Sequence, residues 1–178
     1  PEAIKRAKKV IFECQPRLRT IFERSFGVET VPARIEGAKR YKQEPPEGFV
    51  WFPLGDLGRR TRNSLKDFPG TPYLEANPAQ IERFKAYRGR TGISWRGAQG
   101  MVAEIRDLDG VSLQYDMGWD EEVEVPKDLD LRNDLEGIFG LLANLEKVVT
   151  VSTSVAHFSA ALGVPTEVII ADPKTGVR

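Results

Sequence analysis

Along the second half of the chain, short apolar runs alternate with helical stripes. Thr91-Gly-Ile-Ser-Trp95 and Gly110-Val-Ser-Leu-Gln-Tyr115 are strand-like. Leu135, Ile138, Phe139, Leu142 and Leu145 recur at helical spacing, and Asn133 with Glu136 three residues on predicts the cap of that helix. Lys147 to Val151 reads as a strand and Ser152-Thr-Ser154 as a hydroxyl-rich turn. A short helix stopped by Gly163 and a last strand ending at Ile170 follow. The order β–loop–β–α–β–α–β predicts an open parallel sheet with helical crossovers. Ligands of such sheets bind outside the carboxyl ends of the strands. Three loops gather there: Arg96-Gly-Ala-Gln-Gly100, Gln114-Tyr-Asp116 and Ser152-Thr-Ser154.

The first half starts in the same style. Val10-Ile-Phe12 suits a strand buried on both faces. Pro16 opens a helix carrying Leu18, Ile21, Phe22 and Phe26 on one side, Gly27 ends it, and Val28 to Val31 form the next strand. From residue 32 to 72, six prolines break the pattern into an irregular excursion. One helix is expected inside it, starting near Asp56 with Leu57, Leu65 and Phe68 as its buried side. Asn77-Pro-Ala-Gln80 predicts another helix start, with Asn77 as cap, Gln80 completing a capping box, and Ile81 and Phe84 inward. Val123 and Val125 suggest a strand within the acidic run Asp120 to Asp130.

Composition narrows the function classes. The 178 residues carry 26 basic and 26 acidic side chains, so the balance argues against a generic nucleic-acid or acidic-membrane partner. One cysteine, Cys14, excludes an internal disulfide and fits a reducing, cytoplasmic setting. The single histidine, His157, and the absence of a Cys/His cluster argue against a metal site. No apolar run approaches the roughly 20 residues that span a bilayer, so no transmembrane segment is expected. The chain begins Pro1-Glu-Ala without an initiator methionine, which reads as a processed, trimmed or partial chain.

The candidate chemistry centres on the turn before the last helix. A helix start presents unpaired N–H groups and the positive end of the macrodipole. Ser152, Thr153 and Ser154 can cap it or donate to phosphate, and His157 lies in its first turn. A serine nucleophile would need a partnering base pattern that these residues lack. Trp95, at the end of an apolar strand, reads as packing. Arg59-Arg-Thr-Arg62 reads as a solvated helix face, and Glu121, Glu122, Asp128, Asp130 and Asp134 as surface charge.

Taken in order, Gly92-Ile-Ser-Trp-Arg-Gly97, Val111-Ser-Leu-Gln114, Val151-Ser-Thr-Ser-Val-Ala-His157 and Ala161-Leu-Gly-Val-Pro165 resemble motifs of the tetratricopeptide-linked glycosyltransferases. These are bacterial relatives of the O-linked N-acetylglucosamine transferases and, more distantly, of the lipopolysaccharide heptosyltransferases. Gln15-Pro-Arg-Leu18, Pro53-Leu-Gly-Asp-Leu57 and Pro72-Tyr-Leu74 look like pieces of the same family's first domain and linker. The resemblance implies an α/β fold of two Rossmann-like domains (the GT-B type). Residues 1–76 would be an incomplete first domain with linker, and 77–178 the donor-binding domain. It implies that Arg96, Gly97, Gln114, Thr153, Ser154 and His157 bind a nucleoside-diphosphate sugar, with His157 also catalytic. It implies no metal or other cofactor, and a glycan, lipid-linked or protein acceptor. Ser152 stands where the family usually carries Asp, and the segment from Ala98 to Asp109 is shorter than usual, which favours a non-catalytic binding module as the alternative. An incomplete first domain would also favour a homodimer that covers its apolar surface.

Overall fold

Local sequence signals build the first unit. The computed structural model describes residues 2–36, 39–41, 44–68, 70–97, 109–115 and 123–170, and the chain divides into units Pro1–Thr71 and Pro72–Arg178. A short helix, α1 (Glu2–Arg6), precedes β1 (Ile11–Cys14). Pro16 opens a 3-10 turn that feeds α2 (Arg19–Phe26). Gly27 closes α2 in the left-handed conformation, φ 60°, that glycine adopts without steric cost. The chain then enters β2 (Glu29–Pro32), which pairs parallel with β1, Ile11 opposite Glu29.

The expected strand–helix–strand is therefore present, with one correction. β1 is not buried on both faces: Cys14 is buried, while Ile11, Phe12 and Glu13 are half-buried. A two-stranded sheet has too little surface to cover both faces. Packing comes from Ile21, fully buried, and from Phe12, Phe22 and Phe26, whose rings meet at 5.5–6.0 Å. Arg19 ties α2 to β2 by donating to the Thr30 hydroxyl at 2.9 Å and the Thr30 carbonyl at 3.2 Å.

The irregular excursion contains two elements that apolar patterning does not announce, β3 (Arg34–Glu36) and β4 (Lys39–Tyr41), paired antiparallel. The helix expected near Asp56 is α3 (Leu54–Thr61). Leu57 is half-buried on it, but Leu65 and Phe68 lie beyond its end and are exposed. The cause is a second start signal. Asp67 accepts from the Asn63 and Ser64 amides at 2.8 Å each, founding a separate 3-10 turn at Leu65–Asp67 and ending the period of α3.

The second unit begins with α4 (Pro78–Arg83), capped by Asn77, whose side-chain oxygen accepts from the Ala79 amide at 2.9 Å. Gln80 takes a hydrogen bond from Arg83 at 3.2 Å instead of closing the expected capping box. β5 (Thr91–Ser94), β6 (Gly110–Ser112), α5 (Leu135–Leu142), β7 (Lys147–Val151), α6 (Ser154–Leu162) and β8 (Thr166–Ile169) follow. The four strands form one parallel sheet in the order β6-β5-β7-β8. This is an α/β architecture.

β5 and β7 are buried almost throughout, as strands covered on both faces must be. Ile93, Trp95, Val123, Val149 and Val151 form one cluster, with Ile169 against it. The strand suggested by Val123 and Val125 is reduced to a single bridge, Glu124 to Val111. α5 starts one residue later than its expected cap. Asp134, not Asn133, accepts from the Gly137 amide at 2.8 Å. Asn133 is drawn into a turn around Asp130, to which it donates from both side chain and backbone. Leu135, Ile138, Phe139, Leu142 and Leu145 are all buried as their spacing predicts. α4 packs so closely on α5 that a β-carbon on Gly140 would come within 2.5 Å of the Gln80 backbone.

Candidate functional site

The strand order carries the first clue. From β5 the chain moves outward to β6, then returns across β5 to reach β7 and β8. The direction therefore reverses between β5 and β7, and their carboxyl ends form the switch point where α/β sheets place ligands. Trp95, Arg96 and Gly97 leave β5 at this edge, and Ser152 and Thr153 leave β7 toward α6.

Polar side chains accumulate there inside an otherwise apolar sheet. Ser94, Ser112, Gln114 and Thr150 are all buried, and Ser94 lies opposite Thr150 in register. Gln114, 4% exposed, accepts through Oε1 from the Ser94 hydroxyl and from the Arg96 amide, each at 3.1 Å. The Gln114 backbone N–H donates to the Ser112 hydroxyl at 3.1 Å. One carboxamide thus fixes the exit of β5 against the end of β6. Its oxygen is engaged by protein groups.

On the other side of the switch, Thr153 occupies the N-cap position of α6, in extended conformation, yet makes no capping hydrogen bond. Its hydroxyl lies 3.3 Å from that of Thr150, which also donates to the Val151 carbonyl at 3.0 Å. The first-turn amides of α6 are therefore not satisfied by the residue placed to do so. Ser154 and His157 are exposed, Thr153 half-buried, and Arg96 and Gly97 half-buried. The sheet brings Arg96 to Gln114 and Thr153 to Thr150, and the register of Ser94 with Thr150 joins the two pairs. Trp95 is buried in the core cluster, as its position at the strand end suggests.

The two edges of the sheet differ in charge. At the amino edge Arg90 bonds Glu124 at 2.9 Å and Asp109 at 3.4 Å. The carboxyl edge carries hydroxyls, a carboxamide and Arg96. Among the acids read as surface charge, Asp134 caps α5. The Asp130 carboxyl is held below its ordinary range, first by the Asn133 side chain and then by the Arg132 and Asn133 amides. Glu121 and Glu122, and most of the loop after Gly97, lie outside the described residues. Among the described residues no group of three His, Cys, Asp or Glu side chains is placed to hold a metal ion.

No protein-family model, curated protein or solved structure matches this chain. Its own geometry carries the reading.

Sequence reasoning passed over Ser94, Ser112 and Thr150. Their signal was available: hydroxyls inside runs otherwise apolar enough for a buried parallel sheet, all within a residue or two of a strand's carboxyl end.

Proposed function

We propose that the carboxyl edge of β5 and β7 binds a nucleoside-diphosphate sugar, in a glycosyltransferase-like protein of the two-domain, Rossmann-like GT-B type. The observation that carries this reading is the start of α6 at the switch point, where Thr153 turns to Thr150 and leaves the first-turn amides for a ligand. Such amides, with the helix dipole behind them, suit the oxygens of a diphosphate. Thr153 and Ser154 add hydroxyl donors, and Gly97 offers backbone without a side chain in the way. Arg96 contributes positive charge from the β5 side.

In this mechanism the acceptor hydroxyl attacks the anomeric carbon, the bond from that carbon to the diphosphate oxygen breaks, and negative charge grows on the leaving diphosphate. The α6 amides and His157 stabilise that charge as it develops. The hydroxyl proton passes to a base supplied from outside residues 91–171. No metal is required, because the charge is met by the helix start, Arg96 and the imidazole. The acceptor is a glycan, a lipid-linked sugar or a protein, and the setting is cytoplasmic. A homodimer is part of the same proposal.

The engagement of Gln114 by Ser94 and Arg96 favours a second reading, a non-catalytic module that binds nucleotide without transferring sugar. Calorimetric titration with UDP, GDP and ADP, on the chain and on His157→Ala, separates these readings together with a hydrolysis assay of the matching nucleotide sugar. Base-selective binding that weakens about tenfold in the variant, with hydrolysis that disappears, supports the enzyme. Binding without hydrolysis supports the module. Absence of binding at millimolar nucleotide removes both.

A further inference from the structure

Between Val50 and Phe68 the first unit crowds apolar side chains onto its surface. Val50, Leu54 and Leu65 are 76%, 74% and 91% exposed, and Trp51, Phe52 and Phe68 are exposed beside them. Cations are interleaved with these side chains. The Arg60 guanidinium lies 5.0 Å from the centre of the Phe52 ring, and that of Arg62 lies 4.7 Å from the centre of the Phe68 ring. Arg59 and Lys66 are exposed in the same stretch. Four basic and two acidic residues fall between Val50 and Phe68. The neutral balance of the whole chain conceals a local cationic excess.

We propose that this surface docks onto a lipid interface containing anionic headgroups. Large apolar side chains exposed one after another along a single stretch of chain point to an interaction site, and the cations among them call for a partner of negative charge. Single-stranded nucleic acid would use the rings as stacking platforms, but it would leave Val50, Leu54 and Leu65 in water. A bilayer interface takes up exposed aliphatic side chains as well as rings. Trp51 suits the headgroup boundary, where an amphipathic ring keeps one end wet. The exposed Arg60 guanidinium, stacked on the Phe52 ring, and the exposed Arg59 and Lys66 set positive charge for headgroup phosphates beside the apolar side chains. Among the described residues no helix is long and apolar enough to cross a membrane, and the eight-residue α3 would lie on the interface. All the residues of this surface belong to the first unit, and those argued for the nucleotide site to the second.

The test is flotation of the full chain with phosphatidylcholine vesicles carrying about one-quarter phosphatidylglycerol, with pure phosphatidylcholine vesicles, and with a single-stranded oligonucleotide. The expected result is binding to the anionic vesicles, about tenfold weaker on the neutral ones. The doubly substituted Leu54→Ser, Leu65→Ser chain is expected to bind the anionic vesicles about tenfold or more weakly. Arg59→Glu, which leaves every apolar side chain in place, is expected to weaken anionic binding severalfold and leave neutral binding unchanged. Circular dichroism matching the unsubstituted chain shows that each variant folds. Failure of the unsubstituted chain to float, flotation unchanged in both variants, or preference for the oligonucleotide over the vesicles overturns the proposal.

Discussion

Among the described residues there are two parallel sheets, and they are stabilised differently. In the first unit β1 and β2 form a two-stranded sheet under a single amphipathic helix, with three phenylalanine rings at its side. In the second unit four strands lie together, and β5 and β7 are covered on both faces. Among the described residues the second unit holds most of the fully buried side chains, Ile93, Val148 and Val151 in the sheet and Phe139, Leu141 and Leu142 on α5, whereas Ile21 alone represents the first unit in that set. Burial on both faces also means that a polar group within the sheet must be satisfied by its neighbours. That is why the hydroxyls and the carboxamide at the carboxyl edge of β5, β6 and β7 are engaged with one another. The architecture that supplies stability therefore also fixes the polar carboxyl edge.

The largest expected effect tests that contrast directly. Phe139→Ala in α5 removes a fully buried ring packed 5.0 Å from Phe158 and should cost about 3–5 kcal/mol by denaturant unfolding. Phe22→Ala, at a half-buried position in the first unit, should cost about half as much. Equal losses would erase the distinction between the two sheets.

Gly140→Ala comes next. The added methyl meets backbone atoms of Gln80 at 2.5–2.6 Å, so α4 must shift away from α5, at about 2 kcal/mol. A neutral result would mean that the close approach of the two helices contributes little.

Two helix-ending glycines sharpen the comparison further. Both are left-handed, Gly27 at φ 60° with open space around its missing side chain, and Gly163 at φ 83° with the Pro72 ring in the way. Gly27→Ala should cost about 1 kcal/mol for the backbone alone. Gly163→Ala should exceed it by an amount of similar order.

The smallest effect is a pH signature at Asp130. Its folded-state carboxyl lies below the ordinary value, chiefly through the Asn133 side chain. A depressed carboxyl stabilises the fold above the unfolded pKa of about 3.9, and that contribution is lost as pH falls through the folded value. Asn133→Ala should therefore be less stable than the parent at neutral pH, with the difference closing as Asp130 protonates in acid. A difference that stays constant down through acid pH would assign the effect to something other than the Asp130 carboxylate.

Much of the second unit was legible because period and punctuation agreed. The helical spacing from Leu135 to Leu145, the apolar run Lys147 to Val151 and the stop at Gly163 each point to one element. The corrections cluster where two residues competed for one task. Asn133 and Asp134 both could cap α5, and only the turn around Asp130 decides between them. Leu65 and Phe68 fit the period of α3, but Ser64 and Asp67 start a new turn first. Within the candidate site, Arg96, Gly97, Thr153, Ser154 and His157 could be named from motif and helix start. The engagement of Gln114 could not, because a partner on another strand is invisible in the linear pattern.

Hydrogen exchange with and without saturating UDP, GDP or ADP, read peptide by peptide, tests the central claim most directly. The account predicts that at least one nucleotide slows exchange around Trp95–Gly97 and Ser152–His157 together, and leaves Ile11–Pro32 unchanged. Protection confined to other segments, or none with any of the three nucleotides, would contradict a ligand site at the carboxyl edge of β5 and β7.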